Sequence, residues 1–153
     1  HKSDLKLSET NEMLLFFTGI QDNYEKIVFP AISQGKVVLC DRYYDSTIAY
    51  QGFGRKLDIK NMMKLVDVCG LPEPNLTFLF RIDIDTFEER SEKRGSKDKI
   101  ESSKAEFYKH VIEGYDELSK LYKNRYVILD GSKSIELLHN EVNEILKEKL
   151  NIC

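Results

Sequence analysis

Lys36-Val-Val-Leu-Cys-Asp41-Arg42-Tyr-Tyr-Asp45-Ser46-Thr47-Ile-Ala-Tyr50-Gln51-Gly52 is the stretch on which the reading of this chain turns. It opens with a short apolar run that ends in a carboxylate. Leu76-Thr-Phe-Leu-Phe-Arg-Ile-Asp83 and Arg125-Tyr-Val-Ile-Leu-Asp130 have the same form. None of the three alternates strictly between polar and apolar residues. Continuous apolar runs of this length, rich in β-branched and aromatic residues, predict strands covered on both faces, as in a parallel sheet.

Helical patterns lie between these runs. Ser8, with Glu12 beyond it, opens a segment to about Gly19, and a second segment runs from Asp22 to Ser33 and closes at Gly35. Asp58 can cap a helix that carries Ile59, Met62, Met63, Leu65, Val66 and Val68 and stops at Gly70. Asp85 can cap another, ending at Gly95. A long helix is expected over roughly 103–122, with Phe107, Val111, Tyr115, Leu118 and Leu121 on one stripe. Ser134 begins the last. Capping residues, apolar stripes and terminating glycines agree in each case. Strands alternating with such helices predict an α/β fold: a doubly wound parallel sheet with flanking helices, built from right-handed βαβ units. The chain shows no repeat, low-complexity tract or linker, so 1–153 reads as a single domain.

Composition narrows the function classes. The 153 residues hold 23 Lys+Arg against 26 Asp+Glu, a net charge of −3. That balance argues against a nucleic-acid polymer or an anionic membrane as partner. No apolar run approaches the roughly 18 residues that a membrane span needs, and no signal-peptide pattern opens the chain. The cysteines, Cys40, Cys69 and Cys153, are far apart and read as reduced thiols of a cytoplasmic protein. His1, His110 and His139 are scattered too, which argues against a built-in zinc site.

In a doubly wound sheet ligands bind beyond the carboxyl ends of the strands, so chemistry is sought first at Asp41-Arg42. A carboxylate there can hold a hydrated Mg²⁺, an oxygen-preferring ion. An arginine can grip a phosphate through two parallel hydrogen bonds. Tyr50 and Gln51 add a planar ring for a sugar face and an amide for a base edge. Alone, Asp41-Arg42 would read as a structural ion pair at a strand end; the residues around it change that reading.

The twelve residues from Asp41 to Gly52 resemble the signature of bacterial thymidylate (dTMP) kinases, approximately D-R-Y-x-x-S-T-x-A-Y-Q-G. The flanks are similar in the same order: Leu14-Leu15-Phe16-Phe17, Pro30-Ala31-Ile32 and Gly35-Lys36-Val37-Val38 before it, and Pro72-x-Pro74-Asn75-Leu76-Thr77, Glu89-Arg90, Lys93-Arg94-Gly95, Asp98-Lys99-Ile100-Glu101, Phe107 and Gly114-Tyr115 after it.

The resemblance implies the activity ATP + dTMP → ADP + dTDP in deoxynucleotide supply, with Mg²⁺, in a cytoplasmic homodimer. It assigns Arg42 to the dTMP phosphate, and Asp41 to the metal, directly or through water, and to the acceptor-phosphate region. Phe16 would stack on thymine, a role that spacing to Pro30 gives to it over Phe17. Ser46 and Thr47 would line the base pocket with Gln51 near it, and Tyr50 would pack on the deoxyribose where a 2′-hydroxyl would sit. A lid at about 94–104 would close over the donor phosphates, with Arg94 and Lys99 acting on the transferring group.

The sequence departs from the family pattern in three places. No G-x-x-x-x-G-K-[ST] loop occurs among the eight glycines, and Gly52-Phe-Gly54 is followed by Arg55-Lys56 rather than by a phosphate nest. The resemblance therefore implies that the family's first strand and P-loop are missing, that the chain corresponds to about the C-terminal two-thirds of the fold, and that it would not transfer phosphoryl groups by itself. Ile20 stands where bacterial relatives commonly carry an arginine, which leaves base recognition to groups such as Gln21 or Gln51. Lys99 stands where arginine is usual, keeping the charge without the planar fork; Arg94 and Lys97 are possible substitutes. Two other readings remain at this point: a different P-loop nucleoside or nucleotide kinase, and a non-catalytic nucleotide-binding or dimerisation module.

Overall fold

A computed structural model of the chain describes residues 7–93 and 102–150. The order of elements is α1 (Glu9–Asn23), a π-helical turn (Tyr24–Val28), α2 (Phe29–Ser33), α3 (Tyr44–Thr47), a second π-helical segment (Ile48–Gly54), α4 (Ile59–Val68), β1 (Thr77–Arg81), α5 (Ile84–Lys93), α6 (Ser102–Leu121), β2 (Tyr126–Asp130) and α7 (Ile135–Leu150). The described residues pack as two compact units. One comprises the chain up to Glu73 together with Phe107–Leu118, and the other Pro74–Glu106 with the chain from Ser119 onward.

The first unit is helical. Ser8 caps α1, its Oγ accepting from the Asn11 amide at 3.2 Å, as its residue type predicts. Gly19 does not end the helix. The chain runs on through the π turn into α2, so the two expected segments are one continuous run. Pro30 accounts for the widening. It has no amide to offer the carbonyl one turn back, and the Phe29 amide instead reaches the Tyr24 carbonyl, five residues away. Asp58 caps α4 through the Asn61 amide at 3.0 Å, and Gly70, at φ +60°, ends that region. Met13, Phe17, Tyr44, Ile48, Ala49, Met62, Val66, Val111 and Leu118 form the buried core.

Residues 36–41 differ from expectation. The segment forms no strand, and Val37 and Leu39 are 63% and 81% exposed. A strand exists only where a neighbour completes its ladder of backbone hydrogen bonds. No described segment completes such a ladder for residues 36–41, so the run forms no strand.

The second unit carries the sheet. β1 and β2 pair in parallel, Thr77 opposite Tyr126 through Arg81 opposite Asp130. Arg125 is buried just before β2 and donates from Nη1 to Thr77 Oγ1 at 2.8 Å. Its guanidinium lies 4.4 Å from the Tyr122 ring centroid and 4.9 Å from that of Tyr126, a cation–π arrangement that locks the strand entry. Asp83, not Asp85, caps α5, accepting from the Thr86 amide at 2.7 Å. Those hydrogen bonds hold the Asp83 carboxyl below its ordinary range. Ser134 caps α7 as expected, through the Leu137 amide at 3.3 Å.

Candidate functional site

The residues around Arg42 are built from the chain bend between residues 36–41 and α3. Arg42 adopts φ 69°, a left-handed conformation that side chains other than glycine rarely take. This kink carries its exposed side chain back over the following helix. Its guanidinium carbon lies 5.1 Å from the Tyr50 ring centroid, and Nη2 is 3.4 Å from the Tyr50 hydroxyl. Four of its five N–H donors thus remain for a ligand. Asp41 is exposed beside it.

Tyr50 is the hub of the site. Its ring meets Phe107 edge-on at 6.1 Å and Tyr115 edge-on at 6.5 Å, both from α6. Such edge contacts hold a ring orientation at about 0.5–1.5 kcal/mol per pair. Tyr115 also donates from its hydroxyl to Ser46 Oγ at 2.9 Å. Burial raises the Tyr115 pKa, partly offset by that hydrogen bond, so it stays a donor through neutral pH. Thr47 and Gln51 are buried at 4% exposure each.

Close approach of backbone to ring makes this packing possible. A Cβ on Gly114 of α6 would fall 2.7 Å from the Phe53 ring, and one on Gly54 would fall 2.5 Å from the Phe107 ring. Glycine at both positions lets α6 lie against the π-helical segment that carries Tyr50 and Gln51.

α1 supplies the remaining pieces. Gln51 Nε2 donates to Glu12 Oε1 at 3.0 Å, a bond that spans 39 residues. Phe16 lies one turn beyond Glu12 and Ile20 one turn further, so the three share a helix face. Phe16 is 49% exposed while Phe17 is 2% exposed. The geometry thus separates a solvent-facing ring at 16 from a core ring at 17.

Arg42, Ser46, Thr47, Tyr50 and Gln51 are therefore neighbours, with Phe16 on the helix that clasps Gln51. Arg94, Lys97, Lys99 and most of the lid segment 94–104 lie outside the described residues. Sequence reasoning placed Tyr115 and Phe107 on an apolar stripe and missed their contact with Tyr50; aromatic residues at that helical spacing were the available signal. Glu12 reads in the sequence as a helix-start residue, and nothing local marks its partnership with Gln51. Tyr43 carries a buried hydroxyl with no hydrogen-bond partner, and burial, then the neighbouring Tyr24, Cys40 and Asp45, pushes its pKa up to about 12.

No group of three or more His, Cys, Asp or Glu side chains is placed to enclose a metal ion among the described residues. Asp41, next to Arg42 in the chain, is exposed; one carboxylate completed by substrate phosphates and waters is a donor set that Mg²⁺ accepts. In the second unit an apolar groove of about 560 Å³ lies between β2 and α7 and contains none of these residues.

The comparisons with known proteins bear on this arrangement. The family model described as thymidylate kinase matches residues 2–142. This chain belongs to the thymidylate kinase family. A thymidylate kinase of Trichodesmium erythraeum is 35% identical over 147 residues, covering 95% of this chain and 64% of that protein. One of an Exiguobacterium species is 38% identical over 141 residues, covering 91% and 66%. The chain therefore spans just under two thirds of the length of these curated relatives. The crystal structure of thymidylate kinase from Ehrlichia chaffeensis superposes with a TM-score of 0.72 at 30% identity, over 94% of this chain and 67% of that one. The α/β fold with a parallel sheet and flanking helices is thus that of the thymidylate kinases.

Proposed function

We propose that this chain carries the acceptor half of a thymidylate kinase: it binds dTMP for phosphorylation by ATP to dTDP. The observation that carries this reading is the kinked, exposed Arg42 seated on Tyr50. A guanidinium held over one ring, with donors to spare, suits a phosphate whose sugar packs on that ring. Ser46, Thr47 and Gln51 then face the base, with Phe16 as its stacking platform. Tyr50, wedged by Phe107 and Tyr115, occupies the place where a 2′-hydroxyl would clash.

Mg²⁺ near Asp41 would neutralise phosphate charge when bound. No covalent intermediate is required, because alignment and charge neutralisation suffice for phosphoryl transfer. The donor side would use Arg94 and Lys99 in a lid at about 94–104, closing over ATP. The sequence contains no P-loop pattern, so these 153 residues by themselves are expected to bind dTMP without turning over ATP. The family model runs through both compact units, which supports their forming one kinase domain.

A homodimer is part of the same reading, and exposed Leu15, Ile27, Phe29 and Ile32 on α1, the π turn and α2 supply apolar surface for it. So is a cytoplasmic location, with the thiols of Cys40 and Cys69 free. No helix among the described residues is long and apolar enough to cross a membrane.

Calorimetric titration with dTMP, dUMP, dCMP and thymidine tests the reading. Binding of dTMP ahead of the others, lost on Arg42→Ala, is expected. Equal binding of thymidine and dTMP would remove the phosphate role of Arg42, and no binding of any of them would overturn the function.

A further inference from the structure

We propose that Glu12 is a positioning residue that sets the base specificity of the dTMP site through Gln51; the inference rests on the function proposed above. An amide side chain is ambiguous, since one end donates and the other accepts. A carboxylate only accepts. With Glu12 Oε1 3.0 Å from the Gln51 amide, the NH₂ end must face Glu12. The Gln51 carbonyl oxygen is thereby turned the other way, and it has no hydrogen-bond partner among the described residues.

That orientation gives the site a fixed polarity. Thymine carries a proton on N3, which an amide oxygen accepts. Cytosine has a lone pair at N3, which the same oxygen repels. The hydroxyls of Ser46 and Thr47 rotate to donate or accept, so they cannot make this distinction. Ile20, on the face of α1 shared by Glu12 and Phe16, has no polar group to contribute. Gln51 is only 4% exposed, so little water is available to relieve a mismatched pairing. Phe16, one turn from Glu12, would hold the base plane next to the oriented amide.

The test is calorimetric binding of dTMP and dCMP to the whole chain and to two variants. Glu12→Gln replaces the carboxylate by an amide that can offer either end, so Gln51 is free to turn over. The ratio of dTMP to dCMP affinity should fall by about tenfold or more. Combining Glu12→Gln with Gln51→Glu exchanges the two groups and again presents only an acceptor to the base, so the ratio should recover. A merely structural role for Glu12 would weaken both nucleotides together and leave the ratio unchanged; that result overturns the proposal. A measurement on the unaltered chain needs no variant to fold. dTMP methylated at N3 should bind about tenfold or more weakly than dTMP, and equal binding would overturn the proposal as well. Absence of binding of both nucleotides to the unaltered chain would instead overturn the dTMP-kinase reading, and this inference with it.

Discussion

The Tyr115 hydroxyl donates to Ser46 Oγ at 2.9 Å across 69 residues of sequence, and the same tyrosine ring stands edge-on to Tyr50. One side chain of α6 therefore holds two residues of the signature at once. Tyr115→Phe keeps the ring packing and deletes only the hydrogen bond. It should cost about 1 kcal/mol of stability in urea titration. The dTMP affinity should fall while the Tyr50 contact and selection against the ribonucleotide persist. Unchanged stability and unchanged affinity together would show that the bond to Ser46 has no role.

Arg42 and Lys56 both sit in the left-handed region, at φ 69° and 59°. A side chain there costs about 1 kcal/mol relative to glycine. Arg42→Gly should therefore raise the melting temperature while abolishing dTMP binding, and Lys56→Gly should raise it with binding intact. A protein destabilised by both changes would mean that the side chains contribute more than the backbone strain removes.

The Tyr43 hydroxyl is buried without a partner although its ring is half-exposed. Tyr43→Phe removes an unsatisfied polar atom and should be neutral or stabilising, by at most about 1 kcal/mol at neutral pH. A loss of stability in the phenylalanine variant would mean that the hydroxyl is satisfied in solution.

Alkaline pH should act through the same residue. Its pKa rises on folding from an ordinary 10.0 to about 12, so the unfolded chain releases the proton first. The stability linked to Tyr43 is complete below about pH 10 and is lost as the pH climbs from there toward 12. Tyr115, also raised by burial, adds in the same direction. Chemical denaturation across that range should show a falling midpoint, with a shallower fall in Tyr43→Phe. Equal slopes would remove Tyr43 as a source.

Gly114→Ala would drive a methyl to 2.7 Å from the Phe53 ring. The ring cannot withdraw without moving the π-helical segment behind it. A loss of about 1–3 kcal/mol and weaker dTMP binding are expected, the latter because that segment carries Tyr50 and Gln51. Gly19→Ala, where a Cβ meets nothing within 4 Å, is the matched control and should be neutral or stabilising.

Much of this protein is determined by its sequence alone, and the legible part is local. The runs ending at Asp83 and Asp130 become β1 and β2, Asp58 and Gly70 bracket α4, and Ser8 and Ser134 cap their helices, because caps and apolar periodicity act within a turn or a strand. The signature from Asp41 to Gly52 names the family for the same reason. The sequence offers Asp85 as a cap where Asp83 serves, a choice settled by which carboxylate the chain's exit from β1 aims at the Thr86 amide. Only tertiary structure decides that residues 36–41 stay unladdered, since a strand is a property of two segments and not of one. It also decides that Phe16 faces outward while Phe17 enters the core, that Tyr115 reaches Ser46, and that Glu12 orients Gln51. Each of these depends on which helix faces are brought together over tens of residues, and no short-range rule in the chain encodes that distance.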